Sequence, residues 1–250
     1  MNILVFDTET TSLNKPFAYN IGYVVLDVDN DKILLQRDYV VEQIWHNLPL
    51  FQSAYYADKR SIYVSGMKSR KIIMDKFGYI CRQMSRDIKT YNIESAYAYN
   101  SNFDERVFEF CCDWFKCINP FDTVQIYDIR GYAHEFICDN KEYTDFCEKH
   151  ELFTESGNYS TTAEALFRYI NNDPSFEEEH TALSDSIIEA KILFECLYRG
   201  AELATDYPCK VSLERKIEKT LSVYKDKVRI AQFPCYKVVI NKERTKITLK

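Results

Sequence analysis

The chain opens on a short apolar run at residues 3–6, and two further stretches, 19–26 and 32–41, are dense in β-branched and aromatic side chains. Such residues suit a pleated, half-buried surface, so these segments predict three strands. The polar turn DVDND separates the second from the third, which makes an antiparallel meander. A polar and aromatic excursion over residues 45–66 comes next, followed by a predicted helix over 68–89 whose exposed side carries Lys68, Arg70, Lys71, Arg82 and Arg86. Residues 95–99 and 123–127 predict two more strands, with a helix over 103–116 between them. Strand and helix alternate after the meander, so the expected fold is α/β, a mixed five-stranded sheet flanked by helices.

The second half reads as helices near 142–150, over 162–171 behind a Thr161-x-x-Glu164 capping box, and over 181–198. Beyond it a helical pattern near 212–224 precedes two strand-like pieces, 236–240 and 246–249, that predict a hairpin around NKER. The expected organisation is a domain over residues 1–200 and a small basic extension over 201–250. DVDNDK opens like a calcium-binding EF-hand loop, with Asp27, Asp29 and Asp31 at alternate positions. Lys32 at its sixth position and Asp38 at its twelfth break that pattern, and both flanks are strands, so a hairpin turn is expected instead.

Charge changes the picture more than composition does. The net charge is −6 over 250 residues, yet residues 201–250 hold twelve Lys or Arg against six Asp or Glu, a local +6 that leaves −12 on the rest. That balance excludes a protein that coats nucleic acid by charge alone, and it suits an acidic body that holds cations beside a basic tail that meets a polyanion. The nine cysteines are odd in number and form no CxxC pair, and no apolar run reaches membrane-spanning length. Because the strand-like run starts within the first residues, no signal peptide is expected. Reduced core thiols in a cytoplasmic protein without a membrane segment are expected.

Candidate chemistry starts at FDTETTSL. Side chains alternate faces along a strand, so Asp7 and Glu9 project to one side near the end of the first strand. Two anions that close repel, and a divalent cation bound by hard oxygens, Mg²⁺ or Mn²⁺, resolves the conflict. In AYNSNFDERVF, Asp104 starts a helix just beyond the fourth strand, at the edge where α/β sheets commonly carry their sites. In HTALSDSIIEAKILF, Asp185 shares a helix face with Ile188 and Ile192, and an acid on an apolar face needs a partner. His180 stands at the entry to that helix behind Glu177, Glu178 and Glu179, which are expected to raise its proton affinity.

Together these residues resemble the three-motif DEDD family of 3′-to-5′ exonucleases, which have a ribonuclease H-like fold. FDTETTSL matches the first motif with Asp7 and Glu9, NSNFD the second with Asn100 and Asp104, and H-T-A-L-S-D the third with His180, Ala182 and Asp185. Thr181 stands where the tyrosine variant has its tyrosine, so the resemblance is to the histidine branch, DEDDh. It covers roughly residues 1–198. Ser12 stands where many relatives have glycine, and Tyr99 where many have histidine. The resemblance implies two divalent ions per site (Mg²⁺ or Mn²⁺), with Asp7, Glu9, Asp104 and Asp185 as metal ligands and His180 accepting the proton of the attacking water. It also implies a terminal nucleotide bound by the backbone at Thr8 and Thr10, by Leu13 and by Asn100, while the residues themselves add Phe103 as a base-stacking candidate.

The implied reaction is hydrolysis of phosphodiester bonds at single-stranded DNA or RNA 3′ ends, releasing nucleoside 5′-monophosphates. Two other readings stand beside it: a proofreading or repair subunit working with a polymerase, and a catalytically silent nucleic-acid interaction module. A homodimer is a further option for the basic tail. The presence of all four carboxylates and the histidine counts against silence.

Overall fold

The computed structural model describes residues 1–209 and 212–215, together with the backbone of 219–225, 228–235, 238–240 and 247–249. The expected meander is present as β1 (Asn2–Thr10), β2 (Ala18–Asp27) and β3 (Lys32–Val41), paired antiparallel in that order. DVDND closes the β2–β3 hairpin, as its turn residues implied; Asn30 Nδ2 donates to Asp27 Oδ2 at 2.6 Å and Asp31 takes φ +48°. The excursion after β3 folds into two single-turn helices, α1 (Glu42–Trp45) and α2 (Leu48–Phe51), and a longer one, α3 (Arg60–Lys68). An edge-to-face cluster of Tyr19, Trp45, Phe51 and Tyr63 clamps this segment to β2.

The single helix expected over 68–89 is instead a helix end, a strand and a helix. Arg70 adopts φ +60°, which stops α3, and the apolar Ile73–Asp75 pairs in parallel with the free edge of β3 as a short strand, β4. Helix α4 (Phe77–Thr90) begins only after it. Then follow β5 (Ser95–Ala98), α5 (Ser101–Phe115), β6 (Gln125–Asp128), the short α6 (Ile129–Ala133), α7 (Lys141–His150), α8 (Ala163–Ile170) and α9 (Ala182–Tyr198). The mixed sheet therefore has six strands in the order β4-β3-β2-β1-β5-β6, the five expected and one more at the edge. Thr162 rather than Thr161 caps α8, its Oγ1 accepting from the Ala165 N–H at 3.2 Å; Thr161 is engaged elsewhere, its carbonyl accepting from the Tyr99 hydroxyl.

Both faces of the sheet are covered. Leu4 and Phe6 of β1 pack under α4 and α5 with Phe77, Met84 and Phe108, while Ile3 and Val5 pack under α9 with Ile188, Ile192 and Leu193. Alternation along one strand thus sends neighbouring side chains into two separate cores. Beyond α9 the chain runs back along the body, where the Ala204 and Thr205 N–H groups donate to the hydroxyls of Tyr97 and Tyr132. In the tail the helix expected near 212–224 gives way to a strand, β7 (Lys219–Lys225), paired antiparallel with β8 (Val228–Cys235). Alternating Leu221 and Val223 with Thr220 and Tyr224 is a period of two, which won over the helical pattern. The expected hairpin strands pair antiparallel as β9 (Val238–Ile240) and β10 (Ile247–Leu249), and its NKER turn lies outside the described residues. Among the described residues no helix is long and apolar enough to cross a membrane.

Candidate active site

Asp7 sits opposite Gly22 in the β1–β2 register. A Cβ on Gly22 would lie 2.1 Å from the Leu183 backbone nitrogen, so the first turn of α9 rests on bare β2 backbone, closer than any other residue permits. Two further contacts pin it there. Ser186 Oγ donates to the Gly22 carbonyl at 3.0 Å, and Asn20 Oδ1 accepts from the Ala182 N–H at 2.8 Å. Asn20 thereby does for α9 what its own Thr181 side chain does not, since no side chain at the N-cap bonds the first turn. Asn20 is held in turn by Asp38 Oδ1 at 2.6 Å and the Tyr39 carbonyl at 2.9 Å.

That docking delivers Asp185 to the face of β1 carrying Asp7 and Glu9. Carboxylate oxygens of Asp7, Glu9 and Asp185 all lie within 4.8 Å of one another. Burial pushes all three carboxyls above their ordinary range, and repulsion from neighbouring acids, Asp7 first, adds to it for Glu9 and Asp185. Lys59 is the cation that draws Glu9 and Asp185 back down. Asp185 Oδ1 is buried without a hydrogen-bond partner among the described residues. Three converging hard oxygen donors, one of them unpartnered, fit a divalent cation of the Mg²⁺ or Mn²⁺ kind, whose charge would remove the repulsion.

Asp104 arrives from the other side of β1. Asn100, at φ +63°, turns the chain from β5 into α5, with its N–H donating to Asp128 Oδ1 at 2.8 Å. An asparagine tolerates that left-handed backbone better than most residues. In the first turn of α5, Asp104 is 2 % exposed and accepts from Thr8 Oγ1 at 2.6 Å. Its carboxyl is held well above the usual range by burial and then by Asp7, so it shares the field of the cluster without joining the close threesome.

His180 is placed differently from the three carboxylates. Its ring stacks on Tyr56 at 4.4 Å between centroids, and its Nδ1 lies 3.6 Å from Glu178 Oε2, in a group with Glu164 and Glu178. The expected rise in its proton affinity is not found. Burial and the nearby Lys59 ammonium lower it, and of the acids only Glu164 opposes them. Adjacency in sequence misled here because Lys59, from the far excursion, sits over this segment, its Nζ donating to the Glu179 carbonyl at 2.6 Å.

Beside the carboxylates lies a concavity of about 410 Å³ lined by Thr8, Glu9, Thr10, Leu13 and Phe103, joined by Thr11, Ser12, Ser53, Tyr55 and Tyr56. The structure thus brings Thr8, Thr10, Leu13 and Phe103 together, while Asn100 is exposed at the start of α5. Leu13 and Tyr55 are apolar or aromatic and strongly exposed, at 74 % and 88 %. Sequence reasoning missed Tyr55 and Tyr56; the aromatic content of the excursion was the available signal. It also missed Glu189, one turn after Asp185, 4 % exposed, whose Oε2 accepts from the Tyr99 N–H at 3.2 Å. Burial, Asp7 and Asp104 hold the Glu189 carboxyl well above its normal range. Its spacing of four from Asp185 puts both acids on one helix face.

No family model and no curated protein matches the sequence. Solved structures do match the fold. The nuclease domain of 3′hExo, a DEDDh family member, bound to rAMP, is similar at a TM-score of 0.52 and 16 % identity, over 80 % of this chain and 92 % of that one. A 3′-exonuclease described in 3′-end-specific recognition of the histone mRNA stem-loop gives a TM-score of 0.54 at 12 % identity, over 80 % and 82 %. Cell-death related nuclease 4 (CRN-4) gives 0.52 at 17 %, over 80 % and 64 %. The chain has the α/β fold of DEDDh exonuclease domains, as the three motifs implied.

Proposed function

We propose that this chain is a divalent-metal-dependent 3′-to-5′ exonuclease that hydrolyses phosphodiester bonds at single-stranded DNA or RNA ends and releases nucleoside 5′-monophosphates. The observation that carries the reading is the convergence of Asp7, Glu9 and Asp185 within 4.8 Å, beside a pocket with exposed Leu13 and Tyr55 at its rim. Asp7, Glu9 and Asp185, with Asp104 behind them, would hold Mg²⁺ or Mn²⁺, which when bound supplies the positive charge that favours in-line attack of water at phosphorus.

The chain's own groups do the rest. Burial and Lys59 keep the His180 imidazole neutral near pH 7, the form that accepts a proton from water at a ring nitrogen. Thr8 fixes Asp104 through its hydroxyl, and the backbone of Thr8 to Thr10 borders the pocket that takes the terminal sugar. Leu13, Phe103 and Tyr55 offer apolar and aromatic faces to unstacked bases, and such stacking is tolerant of sequence. The pocket accepts a splayed single strand more readily than a stacked duplex end. The similar nuclease domain bound to rAMP supports a ribonucleotide among the ligands.

The test incubates the purified chain with 5′-labelled single-stranded DNA and RNA in Mg²⁺, Mn²⁺ or chelator, beside Asp7→Asn. A ladder shortening from the 3′ end, lost in chelator and in the variant, is the expected result. Equal shortening in Asp7→Asn, or cleavage starting inside the strand, overturns the reading.

A further inference from the structure

On the opposite face of the sheet, away from the carboxylates, three thiols meet. Cys81 lies on α4, Cys112 near the end of α5, and Cys117 just beyond it. The meeting is built by the way α5 stops. Lys116 adopts φ +54°, and the Cys117 N–H donates to the Cys112 carbonyl at 3.1 Å, a left-handed cap that folds the chain back toward α4. As a result the sulfur atoms of Cys81, Cys112 and Cys117 all lie within 4.8 Å of one another.

From this geometry we infer that Cys81, Cys112 and Cys117 form a binding site for one soft, thiophilic metal ion of the Zn²⁺ class. Three sulfurs around a tetrahedral zinc at about 2.3 Å stand about 3.8 Å apart, so closure asks of each thiol a shift of no more than roughly 1 Å. The donor set is sulfur alone, which selects a soft ion over Mg²⁺ and so separates this site chemically from the carboxylate cluster. The site is also reachable. Cys112 and Cys117 line an open groove with Asp113, Asn119 and Asp122, so a water or the Asp122 carboxylate can complete the coordination. Cys138, Cys147 and Cys196 give the contrast: they share the other core, each is fully buried, and they are not drawn together to ligand distance. The bound ion would staple α4 to α5, and α5 is the helix that carries Asp104.

The experiment adds Co²⁺ alone, as a spectroscopic probe, to metal-free full-length protein kept reduced with a phosphine. The expected result is a thiolate-to-cobalt charge-transfer band in the near ultraviolet whose amplitude corresponds to one thiol-bound ion per chain, counted apart from ions taken by the carboxylates. The band should be displaced by Zn²⁺, retained in Asp7→Asn and Cys209→Ser, and lost in Cys117→Ser and Cys112→Ser. Cys117 is half-buried, so Cys117→Ser is the variant expected to fold, and retained circular dichroism checks that it does. Absence of a thiolate band in the reduced wild type, or a band unchanged in Cys117→Ser, overturns the proposal. Because oxygen ligands give no such band, either result leaves the exonuclease reading to its own assay.

Discussion

Asp185→Asn isolates the cost of gathering carboxylates. Asp185 lies within 4.8 Å of Asp7 and Glu9, and its buried Oδ1 has no hydrogen bond to lose among the described residues. Two unit charges at that distance repel by about 3.5 kcal/mol at an effective dielectric of about 20. Partial protonation of the cluster relieves some of this, leaving roughly 1–2 kcal/mol for the amide to recover, or about 3–6 °C in Tm at this chain length. The sign with pH follows from the raised carboxyls. An acid whose folded pKa lies above its unfolded value binds more protons in the folded state, so the metal-free wild type loses stability as pH rises from about 4 through the folded pKa. The variant's advantage in chelator should therefore widen between pH 5 and pH 8.

Saturating Mn²⁺ should reverse the order. Binding at 100 times its dissociation constant stabilises the wild type by about 2.7 kcal/mol, while the variant has lost a ligand. The assay is thermal unfolding of both proteins in chelator and in Mn²⁺ across that pH range. An Asp185→Asn protein less stable than wild type in chelator at pH 8 would refute the claim that this cluster is strained by its own charge.

Other outcomes follow from single contacts. Thr8→Val removes the 2.6 Å hydroxyl donor and leaves the buried Asp104 carboxyl only the backbone N–H groups of Thr8 and Asp104; a loss of about 1–2 kcal/mol by urea unfolding is expected, with kcat reduced, and an unchanged midpoint would deny the bond its role. Gly22→Ala drives a Cβ into the Leu183 backbone, so roughly 3 kcal/mol or more is expected to be lost, with amide exchange at the start of α9 accelerating; wild-type protection there would contradict the close approach. Lys59→Gln removes a charge that lowers the His180 proton affinity, so the imidazole midpoint, read by NMR titration, should move upward and the acidic limb of the pH–rate profile with it. A downward shift would show that Lys59 acts some other way.

The sequence alone determined what periodicity and residue chemistry can carry. Alternation placed Asp7 and Glu9 on one face of β1, apolar spacing gave α9 with Asp185 on its buried side, and the meander and the β5–α5 alternation emerged from local pattern. It failed where a distant partner outweighed a local preference. β4 forms because β3 presents a free edge to residues 73–75, and a helical reading of 68–89 contains no trace of that edge. Only the tertiary structure brought Lys59 to His180, stacked Tyr56 on its ring, added Glu189 behind the cluster and closed three scattered thiols into one point. Periodicity reports which way a side chain faces its own element, while distance between elements is set by packing, and at this site by a glycine where β2 and α9 touch.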